Sequence, residues 1–274
     1  MKEQIAEDMR YALDPVAFAA DKLKVTPDPW QAEVMQSSSK RILLNCSRQS
    51  GKSTTAAIIA LHRAWYYPNS LILLVSPGLR QSQELFKKVQ FFFKRLNWEA
   101  KLPEDNKLSM MLENGSRILS LPSSEDKIRG FSSVSLIIED EASRVPDELY
   151  RATRPMLAVS KGTHIIMSTP YGKRGHFYEE WIGDGPWELV EIPATKCERI
   201  SKEFLDEEKT ALGDWWYQQE YFCQFMEMTD SLFTYDMITS AFDADVKPLF
   251  PAQAGAQLEQ NAFLSDDVQP LVMK

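Results

Sequence analysis

Two short runs hold the residues whose types and spacing could do chemistry: Ser47-Arg-Gln-Ser-Gly-Lys-Ser53, and the acids that close Leu136-Ile-Ile-Glu-Asp-Glu141. The first follows the apolar run Arg41–Cys46 and opens a helical pattern. It fits G-x-x-x-x-G-K-[ST] at Gly51, Lys52 and Ser53, with Cys46 where the first glycine usually stands. In such a loop the backbone N–H groups of Ser47, Arg48, Gln49, Ser50, Gly51, Lys52, Ser53 and Thr54 and the following helix N-terminus would hold phosphates. Lys52 would neutralise the β- and γ-phosphates of ATP, and the Ser53 hydroxyl would ligate Mg²⁺. Alone, a Gly-Lys-Ser at a helix start could be accidental. The second run supplies what a hydrolase needs next. Asp140 is placed to hold Mg²⁺ through water, and Glu141 to polarise the attacking water. Acids at the end of a strand can also be a plain turn, but the two motifs in this order support one another. A third apolar run ends in Ser168-Thr-Pro170, where a polar strand tip could sense the γ-phosphate or merely turn the chain.

Positioning these residues requires a parallel sheet. The runs Arg41–Cys46, Leu71–Ser76, Ser135–Asp140, His164–Ser168 and Trp187–Pro193 are short and unalternating, as strands buried on both faces are. Helical patterns over Lys52–Tyr67, Leu79–Asn97 and Pro146–Val159 lie between them. The class is therefore α/β with a mostly parallel central sheet. Glu113-Asn-Gly115, between Lys107–Leu112 and Ser116–Leu121, predicts a β-hairpin insertion. A helix is expected around Pro15–Leu23, followed by a Pro-rich turn, and an aromatic-rich helix over Phe204–Met226 as a small C-terminal helical lid. The expected division is 1–200 for the core, 201–247 for the lid and 248–274 for a linker or tail.

The 274 residues suffice for one large domain with a small appendage, and 44% hydrophobic with 26% charged content is ordinary for a globular chain. No apolar run approaches the ~20 residues that cross a bilayer, and the polar start MKEQIAEDMRYALD is no secretory signal. Cys46, Cys197 and Cys223 form no CxxC pair, which favours a reducing compartment. Net charge is −8, but residues 201–274 hold 4 of the 31 Lys+Arg and 14 of the 39 Asp+Glu. The first 200 residues are thus close to neutral, so a local basic patch could still meet nucleic acid. Candidates are Lys94 and Arg95, on a helical segment that also carries Arg80, Lys87 and Lys88, and Arg117 on the hairpin. The competing reading is a solvated amphipathic face with Phe86, Val89, Phe92, Phe93 and Leu96 inward.

Taken together, CSRQSGKS, SLIIEDEA, STP, the loop Lys127-Ile-Arg-Gly-Phe-Ser-Ser133, Trp30-Gln31 and WYQQEYFCQF resemble the ATPase domain of the large terminase subunit of tailed bacteriophages. The resemblance spans roughly residues 10–245. It implies a P-loop NTPase of the additional-strand, catalytic-glutamate type that uses ATP and Mg²⁺ to pump double-stranded DNA into a procapsid. It implies a homo-oligomeric ring, usually a pentamer, with the portal and the small terminase subunit as partners, in the host cytoplasm. A monomer in solution is compatible with it, and no membrane is involved. By position Trp30 and Gln31 would lie near the adenine, Arg48 would contact the γ-phosphate, and Ser168 and Thr169 would couple hydrolysis to movement. Arg129 would be the arginine finger acting in trans, worth about 10³–10⁵ in rate where such fingers operate. Arg144 and Arg154 are rivals, and a simple loop arginine bridging Glu125 or Asp126 is the alternative.

Two other readings compete. A helicase-like DNA translocase shares these motifs but needs a second RecA-like domain. A nucleotide-dependent assembly switch would not need Glu141. Large terminases also carry a nuclease domain, normally beginning near residue 274, so no DNA cleavage is expected from these residues. Plasmid nicking with Mg²⁺ or Mn²⁺ by the purified protein is the result that would contradict this.

Overall fold

The computed structural model describes residues 2–96, 104–123 and 130–227, with Met237 and Ser240. The elements run α1 (Lys2–Leu13), α2 (Pro15–Ala17), α3 (Pro29–Gln36), β1 (Arg41–Cys46), α4 (Lys52–Tyr66), β2 (Leu71–Ser76) and α5 (Leu79–Leu96). They continue with β3 (Glu104–Asp105), β4 (Ser109–Met111), β5 (Arg117–Pro122), β6 (Leu136–Asp140), α6 (Asp147–Thr153), β7 (Thr163–Ser168), α7 (Gly175–Ile182), β8 (Glu188–Ile192) and α8 (Lys202–Phe222). Contacts divide the chain into Met1–Asp230, which holds all these elements, and Ser231–Lys274.

The strands form one sheet in the order β3-β4-β5-β2-β6-β7-β1-β8. From β5 to β8 every neighbouring pair is parallel. β7 lies between β1 and β6, so the strand ending in Ser168 separates the strand before the Gly-Lys-Ser loop from the strand ending in Asp140. This is the additional strand of the expected class. β4 and β3 extend the sheet antiparallel beyond β5, with Met110 opposite Ile118. The Asn-Gly turn does more than reverse the chain. Asn114 Nδ2 donates to the carbonyls of Ala64 (2.8 Å) and Trp65 (3.0 Å), tying the hairpin to the end of α4.

The central strands alternate between two faces, both covered, which is why their sequences read as unbroken apolar runs. Ile42, Leu44, Ile72, Leu74, Leu136, Ile138, Ile165 and Met167 pack with α4 and α5. Leu73, Val75 and Ile137 pack with Val145, Leu149, Met156 and Leu157 around α6, and Leu43 and Ile166 with Ala142 and Phe177. By the same alternation Asp140 faces the α4 side and Glu139 the side of α6 and α7.

Several expectations are refined. The Pro15–Leu23 helix is a single turn capped by Asp14, whose Oδ1 accepts from Val16 and Ala17, followed by a π-helical turn, Phe18–Lys22. The Pro-rich turn is the start of α3. Asp28 is its N-cap, Pro29 its first residue, and Gln31 Oε1 accepts the Asp28 N–H at 2.8 Å, a capping signature that was present in the sequence. α6 gives way to a 3₁₀ turn, Arg154–Leu157, at Pro155, where a helix interior tolerates no proline. α8 is interrupted at Gly213 (φ 76°, ψ 163°). α1 and α7 have no counterpart in the sequence reading.

Gly162 precedes β7 where chain and sheet touch. A Cβ there would lie 2.3 Å from the Val134 carbonyl oxygen and 2.7 Å from Leu157 Cδ2. Gly162→Ala is expected to lower stability by roughly 1–3 kcal/mol through overpacking, read as the shift in the denaturation midpoint. An unchanged midpoint would mean the contact relaxes freely.

Candidate active site

Parallel strands bring their C-terminal tips to one edge, and there the loops after β1, β7 and β6 meet around a cleft of about 740 Å³. Residues Arg48–Thr54 line it, with Gln31, Glu141, Arg144, Thr169, Arg199 and Glu220 among the other walls. Gly51 is the left-handed N-cap of α4 (φ +100°). A Cβ there would sit 2.8 Å from Gln31 Nε2 and 3.1 Å from Arg199 Nη2, so conformation and space both require glycine. Cys46 poses no such demand. It is fully buried, its φ is not positive, and it closes β1 opposite Ile192. An ordinary β residue therefore fits at the first-glycine position. Burial pushes the Cys46 thiol up to about 12, so it is chemically quiet.

Lys52 Nζ lies 2.9 Å from Glu141 Oε1. Burial pulls its ammonium pKa down, but Glu141 and Asp140 outweigh that and the net shift is upward, so the lysine stays charged. Ser53 Oγ donates to Asp140 Oδ2 at 3.3 Å. Burial, with a smaller contribution from the Glu141 charge, pushes the Asp140 carboxyl up to about 6. A hydroxyl and a carboxylate side by side form a hard-oxygen pair that suits Mg²⁺, which usually keeps several waters and takes phosphate oxygens as further ligands. A bound cation would also offset the charge Asp140 carries at a cost. Glu141 adopts φ 54°, ψ 42°, uncommon for a non-glycine residue and found more often at functional turns. Its N–H donates to Asp140 Oδ1 at 3.0 Å.

The tip of β7 is tied to the turn after β6. Ser143 Oγ lies 2.7 Å from Ser168 Oγ and donates to the Thr169 carbonyl at 2.9 Å. Ser168 is fully buried, while Thr169 reaches the cleft. The turn after β1 is tied to α8: the Arg48 N–H donates to the Glu220 carbonyl at 2.9 Å, and the Arg48 guanidinium pairs with the buried Glu220 carboxylate. The hydrogen bond to Glu220 raises the Arg48 pKa further.

Not every residue singled out from the sequence reaches the cleft. Trp30 is buried in the main core, its indole Nε1 without a partner, and of the Trp30-Gln31 pair only Gln31 lines the cleft. Lys94 and Arg95 end α5 and Arg117 begins β5, so all three belong to the opposite edge of the sheet. Lys94 and Arg117 are exposed there. Arg95 donates to the Leu23 carbonyl at 2.7 Å and lies over the Phe91 ring at 4.4 Å. Arg144 lines the cleft over Tyr171 (4.4 Å), Arg154 pairs with Glu180 at 3.4 Å, and Arg129 lies outside the described residues. Sequence reasoning missed Arg199. Its Nη1 binds both carboxylate oxygens of Asp28 (2.7 and 2.6 Å) and its Nη2 donates to the Ser50 carbonyl (2.7 Å). Glu220 was missed as the partner of Arg48. Both are single charged residues with no local pattern to mark them.

A family model described as "Terminase large subunit, T4likevirus-type, N-terminal" matches residues 43–240. The terminase large subunits of Thermus phage G20c and Thermus virus P23-45 are each 25% identical over 247 residues, covering 76% of this chain and 50% of theirs. The chain thus spans about half the length of the curated relatives it matches. Among solved structures, the large terminase ATPase domain of Thermus phage P74-26 superposes with a TM-score of 0.70 at 21% identity, over 78% of this chain and all of that one. The large terminase of a thermophilic bacteriophage, solved in complex with ADP, gives 0.61 at 10% identity, over 73% of this chain and 54% of that one.

The raised Asp140 pKa has a consequence for stability. A carboxyl whose folded-state value exceeds its unfolded value costs nothing below about pH 4, and its ionised form carries the whole cost above about pH 6. Asp140→Asn is therefore expected to stabilise the protein without metal or nucleotide at pH 8, on the order of 1–3 kcal/mol, with the gain vanishing near pH 4. Chemical denaturation at both pH values measures it, and a loss of stability at pH 8 would contradict the electrostatic account.

Proposed function

The chain belongs to the family of terminase large subunits of the T4-like-virus type, matched in their N-terminal region, and on that premise we propose that it hydrolyses ATP to drive double-stranded DNA into a procapsid. The observation that carries this reading is the pairing of the Gly-Lys-Ser loop with the acids of β6: Lys52 against Glu141 at 2.9 Å and Ser53 against Asp140 at 3.3 Å. Nothing in a purely structural strand-to-loop turn calls for a lysine, two carboxylates and a helix N-terminus around one cleft.

Each residue then has a task. The loop amides and the start of α4 receive the phosphates. Lys52 neutralises charge at the β- and γ-positions. Ser53 and Asp140 would hold Mg²⁺, which when bound supplies charge neutralisation at the β- and γ-phosphates. Glu141 accepts a proton from the attacking water, and before that its charge is kept in place by Lys52. Gln31 and Arg199 border the base end of the cleft. Thr169, joined to the turn after β6 through Ser143, passes the state of the γ-phosphate to β7. Arg48 links the same phosphates to α8 through Glu220, which makes α8 the lid. Arg129 stays the proposed finger supplied by a neighbouring subunit, because Arg144 already borders the cleft of its own chain and Arg154 is held by Glu180. DNA, the portal and the small terminase subunit would be the partners of the assembled homo-oligomeric ring. DNA contact is proposed for Lys94, Arg95 and Arg117, all three exposed at the sheet edge opposite the cleft, with Arg95 also tied to the Leu23 carbonyl.

The test is Glu141→Gln in the assembled motor. It should bind ATP with a Kd within about threefold of wild type, lose turnover by about 10²–10⁴-fold, and package no DNA. Wild-type turnover in this variant would remove the mechanism. Turnover lost with packaging retained would remove the coupling.

A further inference from the structure

Behind the catalytic acids, on the other face of β6, lies a charged cluster that the chemistry at the cleft leaves unused. Glu139 is fully buried. Its Oε1 meets His164 Nε2 of β7 at 2.9 Å, and its Oε2 meets His176 Nε2 of α7 at 3.2 Å. The other ring nitrogen of His176 faces Asp147 Oδ1 of α6 at 3.1 Å, and that same oxygen accepts the His176 backbone N–H at 2.8 Å. Tyr150 of α6 stacks on the His176 ring at 4.4 Å, nearly parallel.

A neutral imidazole donates from one nitrogen only. Here both nitrogens of His176 point at carboxylate oxygens, so the neutral ring would set a lone pair against a carboxylate in a buried site. The geometry demands an imidazolium. His164 has one nitrogen on Glu139 and the other unpartnered, so its geometry makes no such demand. Two negative groups, Glu139 and Asp147, thus face one cation, and Arg151 is a further positive group acting on Asp147. Consistent with this, the His176 pKa is raised: burial lowers it, but the bond to Glu139 and the two carboxylate charges prevail.

The placement gives the cluster a use. Asp147 begins the helix after the Glu141 turn, and His176 lies in the first turn of the helix after Thr169. The two turns are already joined near the cleft by Ser143 with Ser168 and the Thr169 carbonyl, and in the middle by Arg144 over Tyr171. We propose that His176, as an imidazolium held between Glu139 and Asp147, is a positioning residue that pins the Thr169 turn to the Glu141 turn and keeps both aligned for hydrolysis. This rests on the reading of Glu141 as the group that activates water.

The stabilisation is fully present below the ordinary histidine pKa and is lost as pH rises through the higher value in the folded protein. Hydrolysis should therefore show an alkaline limb set by His176. The sequence has 3 histidines, so a long-range ¹H–¹⁵N spectrum can follow each ring, alongside kcat and KM for ATP between pH 6 and 9.5. In the wild-type protein His176 should be doubly protonated at pH 7. His176→Gln should lower kcat on the order of tenfold or more, since small misplacements of catalytic groups are costly, with KM within twofold and the alkaline limb gone. Asp147→Asn, which keeps size and removes one partner charge, should move the His176 titration and the alkaline limb to lower pH together. A neutral His176 at pH 7, an unchanged kcat in His176→Gln, or a limb that ignores Asp147→Asn would overturn the proposal. A doubly protonated His176 in a protein with no Glu141-dependent turnover would sink the ATPase reading and leave the imidazolium pin standing.

Discussion

The active edge depends on the position of β7. Neighbouring strands lie about 4.8 Å apart, so placing β7 between β1 and β6 sets those two strands about 10 Å from one another. That gap is wide enough for a phosphate chain, and the residues that border it are long or begin a helix. Lys52 reaches across to Glu141, and Ser53, one residue further into α4, meets Asp140. The intervening strand delivers Thr169 to the middle of the gap.

The two faces of β6 handle buried charge in opposite ways. On the α4 face Asp140 is left with one hydroxyl, one backbone N–H and the more distant Lys52, and its carboxyl rises to about 6. On the α6 and α7 face Glu139 is met by His164, His176 and the Thr153 hydroxyl, and despite complete burial its carboxyl falls to about 2. The difference is one of solvation by fixed partners, because a buried ion with full hydrogen bonding is tolerated and one without is costly. An incompletely compensated acid is suited to take up a cation and release it with each nucleotide. A fully compensated one is suited to hold a strand in place.

Much of this was legible in the sequence. Gly51, Lys52, Ser53, Asp140 and Glu141 stand out by type and spacing and the structure brings them together, and strands buried on both faces write themselves as apolar runs. Four of the runs became the inner strands β1, β2, β6 and β7 within one residue. The fifth, Trp187–Pro193, became β8, an edge strand covered on one side by β1 and only partly buried, rather than a strand buried on both faces. What stayed hidden depends on contacts distant along the chain. By position Trp30 was expected near the adenine beside Gln31, but its ring enters the core while Gln31 lines the cleft. Arg199 bonds Asp28 and Ser50 at sequence separations of 171 and 149, and Arg48 finds Glu220 at a separation of 172. Neither pairing leaves a local trace. Glu139 read as one more acid in a run of three, because alternation of faces within a strand matters only once both faces are known to be buried.

The most direct test of the account is a crystal structure of the protein with Mg²⁺ and a non-hydrolysable ATP analogue. The phosphates should lie against the backbone N–H groups of Ser50–Thr54, the cation between Ser53 and Asp140, and Glu141 within hydrogen-bonding reach of a water in line with the terminal phosphate. Phosphates bound elsewhere in the cleft, or a cation held without Ser53 and Asp140, would contradict it.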